Sequence, residues 1–312
     1  MAPHDDIRTA AQALREGKLV AFPTETVYGL GADATNDEAV ARVYAAKGRP
    51  SFNPLIVHVP DAGSAFALGS FSPEAKALAA AFWPGPLSLV VPREPSCPVS
   101  LLASSGLDSI AIRVPSHPVA LDLLKAAGRP IVAPSANPSG RISPTTAEHV
   151  RRHLKDKLSM VLDGGRCKVG VESSVVSFMD GAPKLLRQGG VPRSEIEKVL
   201  GHGIAVEPHS ARPHAPGQLM SHYAPHAELR LNADAPRAGE AYLGFGPLHA
   251  HGPWTLSATG DLVEAAASLF RLLHEIDATG VARIAVAPVP HHGLGEAIND
   301  RLLRAAAPRE SV

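Results

Sequence analysis

An α/β fold is what this sequence predicts: a mixed, strongly twisted sheet with flanking helices, followed by a smaller α/β unit. Three observations predict it. Short runs of apolar and β-branched residues alternate with segments of helical periodicity. The 27 glycines and 29 prolines are scattered among these runs, which reads as many tight turns and argues against a regular doubly wound sheet. The alternation then breaks over 201–225, where GHGIAVEPHSARPHAPGQLMSHYAP carries four histidines before Tyr223 and little apolar periodicity. These features divide the chain into a first domain at 1–205, a linker at 206–235 and a second domain at 236–312.

In order, residues 6–16 hold helical spacing that stops near Gly17, and LVAFPT (19–24) is a buried strand broken by Pro23. PTETVYGLG (23–31) joins that strand to a glycine-rich turn in which Gly29 and Gly31 take special dihedrals. A helix over 36–46 has Asn36 as N-cap, and 55–59 is a strand. Ser72 caps a helix over 73–81 with Pro73 at its first position. LSLVV (87–91), IAIRV (110–114) and PIVAPS (130–135) are strand ends feeding loops, and 117–127 and 145–154 are helices. MVLDGG and SSVVSF add strands between 160 and 178. Beyond the break, 241–245 and 283–289 are strands, and 261–277 and 297–307 are helices.

Composition narrows the function. Lys+Arg and Asp+Glu both number 30, so no global field draws the chain to nucleic acid or a membrane, and anion recognition must be local. Cys97 and Cys167 offer neither a zinc pattern nor a disulfide framework. The N-terminus lacks an apolar signal region, and no run approaches the ~18 apolar residues of a membrane span, so a cytoplasmic location is expected.

The chemistry concentrates in a few segments. KGRPSFNPLIVH (47–58) sets Lys47 and Arg49 beside a turn stiffened by Pro50 and Pro54, a cation pair suited to nucleotide phosphates or to the C-terminal end of a helix dipole. Asn53 either reads a ligand oxygen or caps the turn, and His58 is either a packed core histidine or a pocket wall. Thr24, Glu25, Thr26 and Tyr28 place hydroxyls and a carboxylate together. Arg113 interrupts a buried strand and must be paired, by a ligand carboxylate held bidentately or by an internal acid. Ser135, Asn137, Ser139, Ser143 and Thr145 follow a strand, where α/β proteins usually bind ligands. Glu172, Ser173 and Ser174 follow a glycine-rich stretch, and Arg187 is a third cation among glycines. No Walker lysine, first-domain GxGxxG, HExxH or Ser-His-Asp order is present. A site rich in cations and hydroxyls and poor in bases suits phosphoryl or adenylyl transfer.

Taken together, PTETVYGLG, KGRPSFNPL, FWPGPLS, IAIRVPSHP, PSANPSG with SPT, DGG with GVESS, and LLRQGG resemble the Sua5/YrdC/YwlC family of threonylcarbamoyl-AMP synthases. APGQLMSHYAP (215–225) and GLGEAINDRLLRAA (293–306) resemble the linker and C-terminal domain of its longer, two-domain Sua5 type. The resemblance implies a YrdC-like catalytic domain and a smaller Rossmann-like domain. It implies synthesis of L-threonylcarbamoyladenylate from L-threonine, bicarbonate and ATP, with Mg²⁺ carried on the ATP phosphates and not by protein ligands. The product would feed a tRNA threonylcarbamoyl transferase complex that makes N6-threonylcarbamoyladenosine at tRNA position 37. Lys47 and Arg49 are implied as catalytic residues at the ATP phosphates, with Asn53, Ser109, Asn137, Ser143, Arg187 and Tyr223 also on the nucleotide. Thr26, His58, Arg113, Ser135 and Ser173 are implied on the threonine side, and Tyr223 as part of a linker that folds over the nucleotide. Where the family often has Thr, this chain has Ser88 and Ser174. Two other classes fit the residues: an RNA-binding module without catalysis, and a threonine or nucleotide sensor.

Overall fold

The computed structural model describes residues 4–207 and 222–308. Helix α1 (His4–Arg15) is followed by Gly17, whose positive φ of 74° lets the chain leave the helix. Strand β1 (Val20–Phe22) ends at Pro23 as expected. The expected glycine-rich turn is instead largely a strand, β2 (Gly29–Asp33), and neither Gly29 nor Gly31 has positive φ. A Cβ on Gly31 would lie 2.8 Å from Phe22 and one on Gly29 3.1 Å from Ala133, so these glycines serve close packing, not reversal.

Helix α2 (Asp37–Lys47) begins at Asn36, whose side chain accepts from the Ala39 N–H, and ends at Gly48 in the left-handed region. The chain continues through β3 (Ile56–His58), α3 (Ala62–Phe66), α4 (Pro73–Phe82), β4 (Leu87–Pro92), β5 (Ser109–Arg113) and α5 (Pro118–Ala127). β6 (Ile131–Val132), α6 (Ala147–Leu154), β7 (Met160–Val161) and β8 (Ser174–Ser177) follow. β9 (Lys184–Arg187), α7 (Arg193–Leu200) and β10 (Ala205–Val206) stand outside the elements expected from periodicity, as does α3. The ten strands form one mixed sheet in the order β10-β9-β8-β4-β5-β3-β6-β2-β1-β7. Parallel β3 and β5 set His58 opposite Arg113 at their C-terminal ends. Antiparallel β8 and β9 bring the start of one and the end of the other, Ser174 and Arg187, to that same edge.

After residue 222 come β11 (Glu228–Arg230), β12 (Glu240–Leu243), α8 (Leu262–Asp277), β13 (Arg283–Val286) and α9 (Leu294–Ala306). Their strands make a wholly parallel sheet, β11-β13-β12. β11 falls within the segment read as linker, and much of the rest of that segment lies outside the described residues. The apolar core under this sheet takes in Val27, Ile142 and Val171 from loops of the first part, so the two parts share buried surface. No helix among the described residues is long and apolar enough to cross a membrane.

A histidine stack marks the same junction. The rings of His149 (α6) and His274 (α8) lie 3.9 Å apart, and His274 Nε2 contacts the Ser143 carbonyl at 3.2 Å. Burial pushes His149 down to about 4, with Arg152 adding to it, and burial and then the His149 ring push His274 down to about 3. Because both folded values lie below the unfolded one, the unfolded chain takes up protons first as pH falls. Stability should therefore decline from about pH 6.5 downward and keep declining to about pH 3–4. At pH 5 each histidine contributes a loss of order 2 kcal/mol. Thermal melts between pH 7.5 and 5 check this, and His149→Phe should flatten the profile.

Candidate active site

Lys47 closes α2, and Gly48 turns the chain so that Arg49 enters the loop before β3. Neither cation is solvated: Lys47 is 4% and Arg49 7% exposed. Lys47 Nζ donates to the carbonyls of Ser135 (2.5 Å) and Asn137 (2.6 Å), tying α2 to the loop after β6. Burial, and then Arg49, holds its pKa well below the usual lysine value. Arg49 donates through Nε to Asn53 O (3.1 Å) and through Nη2 to Asn53 Oδ1 (2.5 Å) and Pro54 O (3.0 Å), so Asn53 does cap its own turn.

Eight of the thirteen expected site residues line one buried cavity: Thr26, Arg49, His58, Arg113, Ser135, Ser173, Arg187 and Tyr223. Lys47, Asn53, Asn137 and Ser143 stand behind this lining, each bonded to it or to its backbone. Ser109, at the far end of β5 from Arg113, lines a separate small cavity with Pro54 and Leu55.

Arg113 has an internal acid. Its Nη2 donates to Glu25 Oε1 (2.6 Å) and Thr26 Oγ1 (2.9 Å), and Nε reaches Gly85 O at 3.3 Å. Glu25 Oε2 accepts from the Ser116 N–H at 3.0 Å. A ligand carboxylate thus meets a guanidinium already held on one side. His58, pushed down to about 3 by burial and then by Arg113, is neutral at ordinary pH. Its Nδ1 faces the Ile56 carbonyl at 3.2 Å, an acceptor, so the proton belongs on Nδ1 and Nε2 is left as an acceptor.

Ser173 and Ser174 diverge. Ser173 Oγ pairs with Ser88 Oγ (2.8 Å), accepts from Arg187 Nη2 (3.0 Å) and lines the cavity. Ser174 Oγ donates to Val191 O (2.6 Å) and accepts from Val191 N (3.1 Å). Ser174→Ala should therefore cost about 1–3 kcal/mol in melting and leave ligand affinity alone. Ser173→Ala should lower melting to a similar degree, because Ser88 Oγ and Arg187 Nη2 each lose a buried partner, but it alone should weaken threonine binding, about tenfold. Calorimetry and thermal melts of both variants check the split.

The cavity is roofed from the second part of the chain. Tyr223 is 1% exposed at φ 63°, a conformation that costs a bulky residue roughly 1–3 kcal/mol and is held by its surroundings. The His222 N–H donates to Arg304 O (3.2 Å) and the Ala224 N–H to Gly140 O (2.8 Å), while the Tyr223 ring packs 5.5 Å from Phe270. Burial and the neighbouring Arg49 and Lys47 keep His222 neutral. Glu172, on the cavity wall, accepts from Ser143 Oγ (2.5 Å) and from Arg301 Nε (2.9 Å). Sequence reasoning gave no role to His222, Glu172 or Arg301. One signal existed for the last: an arginine standing among Ile298, Leu302 and Ala305 on the apolar face of α9.

The profile of the Sua5/YciO/YrdC family, described as "Telomere recombination", matches residues 12–189. A second profile, "Threonylcarbamoyl-AMP synthase, C-terminal domain", matches 191–307. The threonylcarbamoyl-AMP synthase of Pyrococcus abyssi is 43% identical, the alignment covering 97% of this chain and 94% of that protein. The one from Bacillus subtilis is 41% identical, over 97% and 93%. The crystal structure of P. abyssi Sua5 complexed with L-threonine superposes with a TM-score of 0.89 at 41% identity, covering 97% of this chain and 95% of that one. With both profiles matched and similarity running nearly end to end, the chain belongs to the Sua5/YciO/YrdC family, in the form that carries the Sua5 C-terminal domain.

Proposed function

We propose that this protein is a threonylcarbamoyl-AMP synthase, joining L-threonine, bicarbonate and ATP into L-threonylcarbamoyladenylate with release of pyrophosphate and water. The observation that carries the reading is the buried cavity where Arg49, Arg113 and Arg187 converge with Thr26 and Ser173, in a chain similar along its length to synthases so named. This synthesis is the first step of tRNA N6-threonylcarbamoyladenosine formation, and its product carries the activated group to a tRNA threonylcarbamoyl transferase complex. We assign residues 1–205 to the catalytic domain and 206–235 to the connecting segment, whose β11 joins the sheet of the C-terminal domain at 236–312.

In this reading the threonine amine adds to the bicarbonate carbon and water leaves. An oxygen of the resulting N-carboxylate then attacks the α-phosphorus of ATP, and the α–β bridging oxygen departs with pyrophosphate. Arg113 and Thr26 orient the threonine carboxylate, while the bare Nε2 of neutral His58 accepts from its amine or hydroxyl, beside Ser135 and Ser173. Lys47, Arg49 and Arg187 stabilise the charge that builds on the phosphates, in a buried site where such interactions are strong. Asn53, Asn137 and Ser143 hold those groups in place from behind the lining, and Ser109, in its separate small cavity, stands apart from them. Tyr223 closes over the nucleotide and excludes water from the mixed anhydride. The described residues hold no cluster of three metal-binding side chains, and Glu25 and Glu172 are both engaged by arginines. Mg²⁺ would therefore enter on the triphosphate, where it screens phosphate charge. Pyrophosphate release measured with each substrate omitted in turn tests the reading. Release should require threonine and bicarbonate together, and a folded protein releasing none with all three present refutes it.

A further inference from the structure

Arg301 lies on α9 of the C-terminal part, and its side chain is wholly buried. Nε donates to Glu172 Oε2 at 2.9 Å, and Nη1 donates to Gln188 O and Asp300 Oδ2, both at 2.7 Å. The guanidinium lies 5.2 Å from the centre of the Tyr223 ring, and Nη2 has no hydrogen-bond partner among the described residues. A buried guanidinium with an unsatisfied nitrogen is a poor way to glue two domains, since apolar packing of the same volume serves stability as well or better. What it touches is specific: Glu172 and Tyr223 line the cavity, and Gln188 follows Arg187.

We propose that Arg301 is a positioning residue through which the C-terminal domain sets turnover at the cavity, an inference that rests on the synthase reading above. It acts in two ways. It neutralises Glu172, so that the cavity wall does not repel an incoming triphosphate, and keeps that carboxylate turned to Ser143. It also lies against the Tyr223 ring, holding the roof in its unfavourable backbone conformation. Asp300 fixes the arginine from below and holds Arg304 Nε at 2.9 Å on its other oxygen, next to the carbonyl that anchors His222.

The test uses the full-length protein and the variants R301K, R301M and R166A. Threonine affinity is measured by calorimetry without ATP, and kcat and KM for ATP by pyrophosphate release. Lysine keeps the charge but cannot fork between Glu172 and Gln188 or lay a planar cation on the ring. R301K should lower kcat about tenfold or more, with threonine affinity within about twofold and a near-normal melt. R301M should lower kcat further. R166A removes an interdomain bond away from the cavity, from Arg166 Nη2 to Ala267 O at 2.8 Å, and should keep kcat within about twofold. In a Tyr223→Ala background the R301K loss should shrink about threefold or more, because the two residues act as a unit. Wild-type kcat in R301K, an equal loss in R166A, or full additivity with Tyr223→Ala would each overturn the proposal. If R301M does not fold, R301K and the paired variants decide. A wild type without threonine-dependent pyrophosphate release overturns the synthase reading and this proposal with it; an active wild type with an indifferent R301K overturns this proposal alone.

Discussion

Replacing Lys47 by Met should lower pyrophosphate release by about 100-fold or more, with a melting temperature within a few degrees of wild type. The lysine is buried, its charged form is disfavoured by desolvation and by Arg49, and its polar partners are two backbone carbonyls. Methionine removes that desolvation cost but leaves the Ser135 and Asn137 carbonyls without a donor, so the two changes largely offset each other. What is lost outright is the positive charge for the phosphates. Arg49→Ala should behave differently and lower both activity and melting, because Nε and Nη2 hold the turn at Asn53 and Pro54. The two cations thus separate by experiment: the Lys47 change should fall on activity, the Arg49 change on activity and melting together. Wild-type kcat in Lys47→Met would contradict the assignment.

Arg113→Met should be the most destabilising of the site changes, by about 3–5 kcal/mol, a fall of roughly 10 °C. The cause is Glu25, left buried on its site with the Ser116 N–H but without its cation. Adding Glu25→Gln should restore most of the melting temperature, since the uncompensated charge is then gone. Threonine binding should remain lost in the double variant, because the substrate carboxylate still has no guanidinium to meet. Melting and calorimetry on the two variants measure this, and a double variant that binds threonine normally would remove Arg113 from the ligand.

Much of the fold was legible because its elements carry local signals. The helices α2 and α4 announce themselves by Asn36 and Ser72, each of which caps as expected, and the long apolar periodicity of α8 marks it without its cap, Asp261. β2 was not legible, because glycines mark turns and close packing alike, and only Phe22 and Ala133 across the sheet tell them apart. The site divides the same way. Lys47, Arg49 and Asn53 sit in one proline-stiffened segment and can be grouped by eye. The partners that set their chemistry come from far along the chain: Glu25 is 88 residues from Arg113, and Glu172 is 129 residues from Arg301. No spacing rule reaches that far; the pairing follows from which strand ends the mixed sheet places together and which helix of the second part lies over them.

The most direct measurement of the central claim is the mass of the product made from ATP, L-threonine and ¹³C-bicarbonate. An adenylate of threonine carrying one ¹³C is expected, absent when bicarbonate is omitted. An adenylate without the label, or labelled bicarbonate left unused while ATP is cleaved, would contradict the claim.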